Sequence, residues 1–238
     1  MVAKEGNVVR DRRVALGFRI GGFLLALCGL LDVVGVFAGQ VNGESFMYYT
    51  IQTNLLALGL FGLLGVRTIL GLRESRTGSA GWFSRLEMVI VVDVLVTLVV
   101  FWTLLAPSFD ADYLWSFSNL GPHTLTPLAC LADYVLFSPA KKLKYKDVFF
   151  TCLYPGLYLA LVTIAGFSGY VYYWQFDQPW SSAPTPVRFP YFFLDYDRIG
   201  AWVLLYANAA TAFYLLLGHL FYLVDKKVRR APLVENLS

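Results

Sequence analysis

Charge is what this sequence has least of. Lys, Arg, Asp and Glu make up 15% of its 238 residues, where a water-soluble domain carries about 25%. Hydrophobic residues reach 58%. An ordinary soluble globule is therefore excluded, and a net charge of only +3 points to no nucleic-acid partner. Histidine is almost absent, with His123 and His219 the only two. No Cys/His spacing resembles a metal site, so neither a metal nor another cofactor is expected. Cysteine is scarce too. Cys28, Cys130 and Cys152 all fall inside apolar runs, and an odd count there argues against a disulfide framework. They read as small packing residues. A cleavable signal peptide is not expected: the polar, basic opening that ends Arg10-Asp11-Arg12-Arg13 leads into an apolar run too long for a signal core. Neither an internal repeat nor a low-complexity tract stands out.

What is present is a series of long apolar runs. A membrane-spanning helix needs about 20 mostly apolar residues. Runs over 14–39, 46–72, 86–106, 148–170 and 200–224 meet that length, and 122–137 is a shorter sixth. The expected fold is an all-α, six-transmembrane-helix bundle forming one integral membrane domain over 1–238. Pro122 suits a first helical position, and Pro127 is expected to kink the fourth span. Tyr154-Pro155-Gly156 is expected to break the fifth. Arg19, near the start of the first span, is expected to snorkel to the interface.

Basic residues alternate between the links. The N-terminal segment carries Lys4, Arg10, Arg12 and Arg13; the second link Arg67, Arg73, Arg76 and Arg85; the fourth Lys141, Lys142, Lys144 and Lys146; and the tail Lys226, Lys227, Arg229 and Arg230. The first and third links have none, and the long aromatic fifth link has only Arg188 and Arg198. By the positive-inside rule both termini face the cytoplasm.

That topology brings distant polar residues into one leaflet. Thr50, Gln52, Thr53 and Asn54 crowd the start of the second span, and Thr50, Thr53 and Asn54 share a helix face at i, i+3 and i+4. Gly121-Pro122-His123-Thr124 opens the fourth span on the same side. Asp32 lies about 10 Å deep in that leaflet, at ~1.5 Å per residue, and Asp195, Asp197 and Arg198 precede the sixth span there. Asp93 sits nearer the middle. Intramembrane polar groups face a bundle interior or a wet cavity. Threonine and asparagine also serve as interhelical glue, and Arg198 has Asp195 and Asp197 as ion-pair partners. The chemical reading needs a base: a threonine hydroxyl is a weak nucleophile until its proton is taken, and a neutral imidazole in hydrogen-bond reach does that. Thr50 and His123 are the candidates. Asp32 is a candidate orienter of the imidazole, and Gln52 and Asn54 are candidate oxyanion donors.

The segment Tyr48-Tyr49-Thr50-Ile51-Gln52-Thr53-Asn54-Leu55 resembles the hallmark of bacterial six-span relatives of the androgen-induced and androgen-dependent TFPI-regulating membrane proteins. His123-Thr124-Leu125-Thr126-Pro127 leading to Asp133-Tyr134, then Tyr154-Pro155, then Pro190-Tyr191-Phe192-Phe193-Leu194-Asp195 agree in the same order. The resemblance spans roughly residues 19–224. It implies an intramembrane threonine hydrolase of fatty acid esters of hydroxy fatty acids, with Thr50 as nucleophile, His123 as base and Thr53 as a rival nucleophile. It also implies a bacterial cell membrane location and a lipid ester as substrate among membrane lipids. Gln52-Thr53-Asn54 is more polar than the animal proteins' sequence at this point. Asp195 and Arg198 are candidate substrate-binding residues, with Arg198, and after it Arg188, the candidates to hold a substrate carboxylate. The alternative is a non-catalytic binder or transporter of lipids or small molecules, and a third reading is a structural membrane protein.

Overall fold

The computed structural model describes residues 11–74, 80, 83–138, 142–175 and 184–228. Lys4, Arg10, Arg76, Lys141, Arg229 and Arg230, counted in the charge pattern, lie outside them. Among the described residues, five helices are long and apolar enough to cross a membrane: Arg12–Val33, Tyr49–Arg73, Ser84–Ser108, Tyr145–Phe167 and Trp202–Lys227. The chain is accordingly an all-α protein with the character of an integral membrane protein.

In order, α1 is Arg12–Val33, α2 Tyr49–Arg73 and α3 Ser84–Val100. Two short helices follow, α4 (Ala111–Leu114) and α5 (Phe117–Leu120), then α6 (Thr126–Phe137) and α7 (Leu153–Phe167). A two-stranded antiparallel hairpin comes next, β1 (Tyr173–Gln175) pairing with β2 (Thr185–Val187). The all-helical expectation had no place for it. Last come α8 (Tyr196–Ile199) and α9 (Trp202–Leu223).

Three boundaries differ from expectation for local reasons. The first span ends at Val33, and Gly35 and Gly39 then turn the chain with φ of 86° and 69°, a conformation that suits glycine. The fifth span is not broken at Tyr154-Pro155-Gly156. A 3-10 stretch, Tyr145–Cys152, hands over to α7 at Leu153, and Pro155 falls in the first turn of α7, where a helix N–H has no intrahelical partner to lose. The fourth span is composite: α5 passes through a π turn, Gly121–Leu125, into α6. It packs between α1 and α3 and does not stand among the five apolar spans.

The core is apolar packing between α2, α3, α6 and α9, with Leu64, Met88, Val92 and Val94 among its buried side chains. Small residues allow close approach. A Cβ on Gly121 would lie 3.2 Å from Gly29 Cα, so α1 and the π turn meet backbone to backbone.

At one end of this bundle sit buried charges. Arg19 is fully buried rather than snorkelling. Its Nε donates to Asp133 Oδ1 at 2.8 Å and its Nη2 to Asp133 Oδ2 at 3.1 Å. Its Nη1 reaches Thr68 Oγ1 at 2.6 Å and the Ala80 carbonyl at 2.9 Å. Snorkelling assumes that lipid is the only alternative to water; here α6 supplies a carboxylate. The same end holds Arg85 on Asp147 at 2.6 Å, Ser138 donating to Glu87, and the Leu143 N–H donating to Asp225 at 3.1 Å. The start of α1 and the end of α9 therefore share this basic end.

Candidate active site

The opposite end holds the two polar helix starts. Tyr48 precedes α2 without offering a side-chain cap. The missing cap comes from 142 residues away: the Tyr191 hydroxyl accepts the Tyr49 N–H at 3.0 Å. Thr50 is thus the second residue of a helix whose free N–H groups give a partial positive charge, which favours negative charge building on a nearby oxygen.

His123 is placed by the π turn, and two prolines shape that turn. The Thr126 N–H bonds the Gly121 carbonyl, five residues back, instead of that of Pro122. Pro127, next in line, has no N–H. The Pro122 carbonyl is left without a helical donor and accepts Asn54 Nδ2 at 3.0 Å. Asn54 Nδ2 also donates to the Thr50 carbonyl at 2.8 Å. One amide therefore clamps the Thr50 turn of α2 to the His123 turn.

Thr50 Oγ1 lies 3.3 Å from His123 Nε2, and both residues are buried. On the far side of the ring, Nδ1 lies 3.1 Å from the Asn119 carbonyl. A carbonyl only accepts, so Nδ1 carries the proton and Nε2 presents its lone pair to Thr50. Phe101 stacks on the ring with centroids 3.9 Å apart and planes 25° apart. Phe101 begins a second π turn, Phe101–Leu105, that continues α3. Hydrogen bond and stack together fix the imidazole plane.

The other expected residues take different places. Asp32 is not the orienter: it accepts from Ser118 Oγ at 2.7 Å, one turn beyond the Gly29–Gly121 contact, and so anchors α5 to α1. The backbone carbonyl of Asn119 does the orienting. Thr53 is fully buried, donates to the Thr50 carbonyl at 3.1 Å and contacts Thr97 Oγ1 at 3.2 Å, with no base among these partners. Gln52 turns away, bonding the Phe46 carbonyl and the Tyr154 hydroxyl. Asp195 caps α8 and pairs with Arg198 at 3.3 Å. Arg198 also donates to Gln175 at 3.0 Å, and Arg188 pairs with Asp197, whose hydrogen bonds hold the guanidinium above its usual value.

Thr50 lines a cavity of about 890 Å³ including the open space at its mouth. Its walls come from α2, α3, α7, α9 and the 191–194 segment. Where α9 faces it, Ala207 and Ala210 leave room. Gly156, Ala210 and Thr211 are lining residues exposed on the bundle's surface, well inside their helical runs. The mouth therefore opens on the flank of the bundle. Deeper in, the Tyr214 hydroxyl donates to Tyr49 at 2.7 Å, and Tyr49 to Asp93 Oδ1 at 2.9 Å, linking α9, α2 and α3.

Sequence reasoning gave no role to Tyr191, Asn119 or Phe101. A backbone acceptor such as the Asn119 carbonyl leaves no side-chain signal. Tyr191 stood in a stretch so aromatic that no member was distinguished. Comparison with protein-family models, curated proteins and solved structures finds no match for the chain.

Proposed function

We propose that this protein is an intramembrane hydrolase of lipid esters, with Thr50 as nucleophile and His123 as general base. The observation that carries the reading is the directed hydrogen bond: Nδ1 is committed to Asn119, which leaves Nε2 free to accept the Thr50 proton. The sequence resemblance points to the same two residues. The charge alternation supports six spans, with the composite fourth helix included and the basic end in the cytoplasm of a bacterial cell.

In the first half-reaction the Thr50 Oγ–H proton passes to His123 Nε2 as Oγ bonds the ester carbonyl carbon. Charge builds on the carbonyl oxygen. The Tyr191 hydroxyl accepts from the Tyr49 N–H and so keeps its own proton to donate there, at the positive end of α2. Collapse breaks the bond to the alcohol oxygen, which takes the proton from Nε2 and leaves as an alcohol. In the second half His123 takes a proton from water, and the hydroxide attacks acyl-Thr50. The tetrahedral adduct then releases the fatty acid, and Thr50 recovers its proton from Nε2. The flank opening fits a substrate that arrives from the bilayer.

The test is active-site labelling. An alkyl fluorophosphonate should modify Thr50 of the purified protein, read by peptide mass spectrometry, and His123→Ala should abolish labelling. No adduct on Thr50 in folded protein would remove the nucleophile and favour a lipid binder that uses the same cavity. For Tyr191, Tyr191→Phe keeps the ring and deletes the donor. It is expected to lower kcat about 10²-fold with little change in KM, the size typical of losing one oxyanion donor. An unchanged kcat would assign Tyr191 to capping α2 alone.

A further inference from the structure

Resting on the ester-hydrolase reading, we infer that the site takes uncharged lipid esters and discriminates against esters carrying a free carboxylate. The cavity's lining is hydroxyls, aromatics and aliphatics, and among the described residues no Lys, Arg, Asp or Glu side chain lines it. An anionic group held there would lose its water and gain no counter-ion.

The end of the bundle around the site offers no rescue. Its links carry two cations in sequence, Arg188 and Arg198, against Glu44, Asp110, Asp112, Asp195 and Asp197. Both cations already have carboxylate partners. They flank the 191–194 segment that walls the cavity, and each is turned onto its own ion pair: Arg188 on Asp197, Arg198 on Asp195 and Gln175. A carboxylate approaching this rim finds both cations already paired, so the rim offers it no free counter-ion and selects against it.

The experiment compares two substrates that differ only in that charge: the palmitoyl ester of hydroxystearic acid, and the same molecule with its carboxyl group methylated. Each is presented at equal mole fraction in neutral detergent micelles with the purified full-length protein, and palmitate release is measured. The methylated form is expected to be cleaved with at least about tenfold higher kcat/KM, worth ~1.4 kcal/mol. Asp195→Asn and Asp197→Asn together free both arginines, and Asn keeps the cap on α8. That variant should narrow the ratio at least threefold. Equal or faster cleavage of the free acid by the wild type overturns the inference and leaves the hydrolase standing. A wide ratio that the double variant leaves untouched also overturns it, since the discrimination would then lie elsewhere. Release from neither substrate, with Thr50 unlabelled by fluorophosphonate, removes the hydrolase reading and this inference with it.

Discussion

Thr50→Ala and His123→Ala are each expected to reduce ester turnover about a thousandfold or more, and the double variant should be no slower than the worse single one. Residues that act as one unit lose their contribution together, so their effects do not add. Thr53→Ala should stay within a few-fold of wild type, because the Thr53 hydroxyl is spent on the Thr50 carbonyl and Thr97. Thr50→Ser should retain measurable activity, since it keeps an oxygen on the same carbon. Steady-state kinetics on folded protein, with thermal melts alongside, checks all five. Loss in Thr53→Ala with activity kept in Thr50→Ala would move the nucleophile one turn along α2.

The second large effect concerns stability. Arg19→Leu is expected to cost roughly 3–5 kcal/mol, the usual consequence of removing one partner of a buried pair and stranding the other. Asp133 would be left buried without the guanidinium, and Thr68 and the Ala80 carbonyl would each lose a donor. Arg19→Leu combined with Asp133→Leu should recover most of the loss, because two apolar side chains leave no stranded charge. Equilibrium unfolding in detergent measures both. Turnover per folded molecule should be unchanged in the double variant, since the pair lies at the opposite end from Thr50. An Arg19→Leu protein as stable as wild type would show that water or lipid headgroups reach Asp133 and that the pair contributes little.

How far the sequence could be read depended on what kind of signal each feature leaves. Long apolar runs are additive over 20 residues, so the third and sixth spans, expected at 86–106 and 200–224, differ by only a few residues from the helical runs Ser84–Ser108 and Trp202–Leu223. The meeting of Thr50 with His123 was legible because the expected alternation of spans brought both helix starts to one end of the bundle. Depth alone does not choose partners, however. Asp32 and His123 were expected at similar depth, yet Asp32 goes to Ser118. Arg19 was assigned to the interface by depth, but its fate was decided by Asp133, 114 residues away. Pro122 and Pro127 announced an irregular helix. Their joint result, a carbonyl freed for Asn54, needs the register of the π turn, and no hydropathy pattern encodes that.

For the proposed hydrolase, the flank mouth between the helices changes what a Michaelis constant means. A site fed from within a bilayer samples its substrate in two dimensions, and the relevant quantity is the mole fraction of ester among the surrounding amphiphiles. Adding empty detergent at fixed ester and enzyme would slow the reaction although no molar concentration of substrate had changed. Half-saturation should therefore hold constant on a surface scale and drift on a volume scale. The lipids around the helices act as diluents of the substrate as well as solvent for the fold.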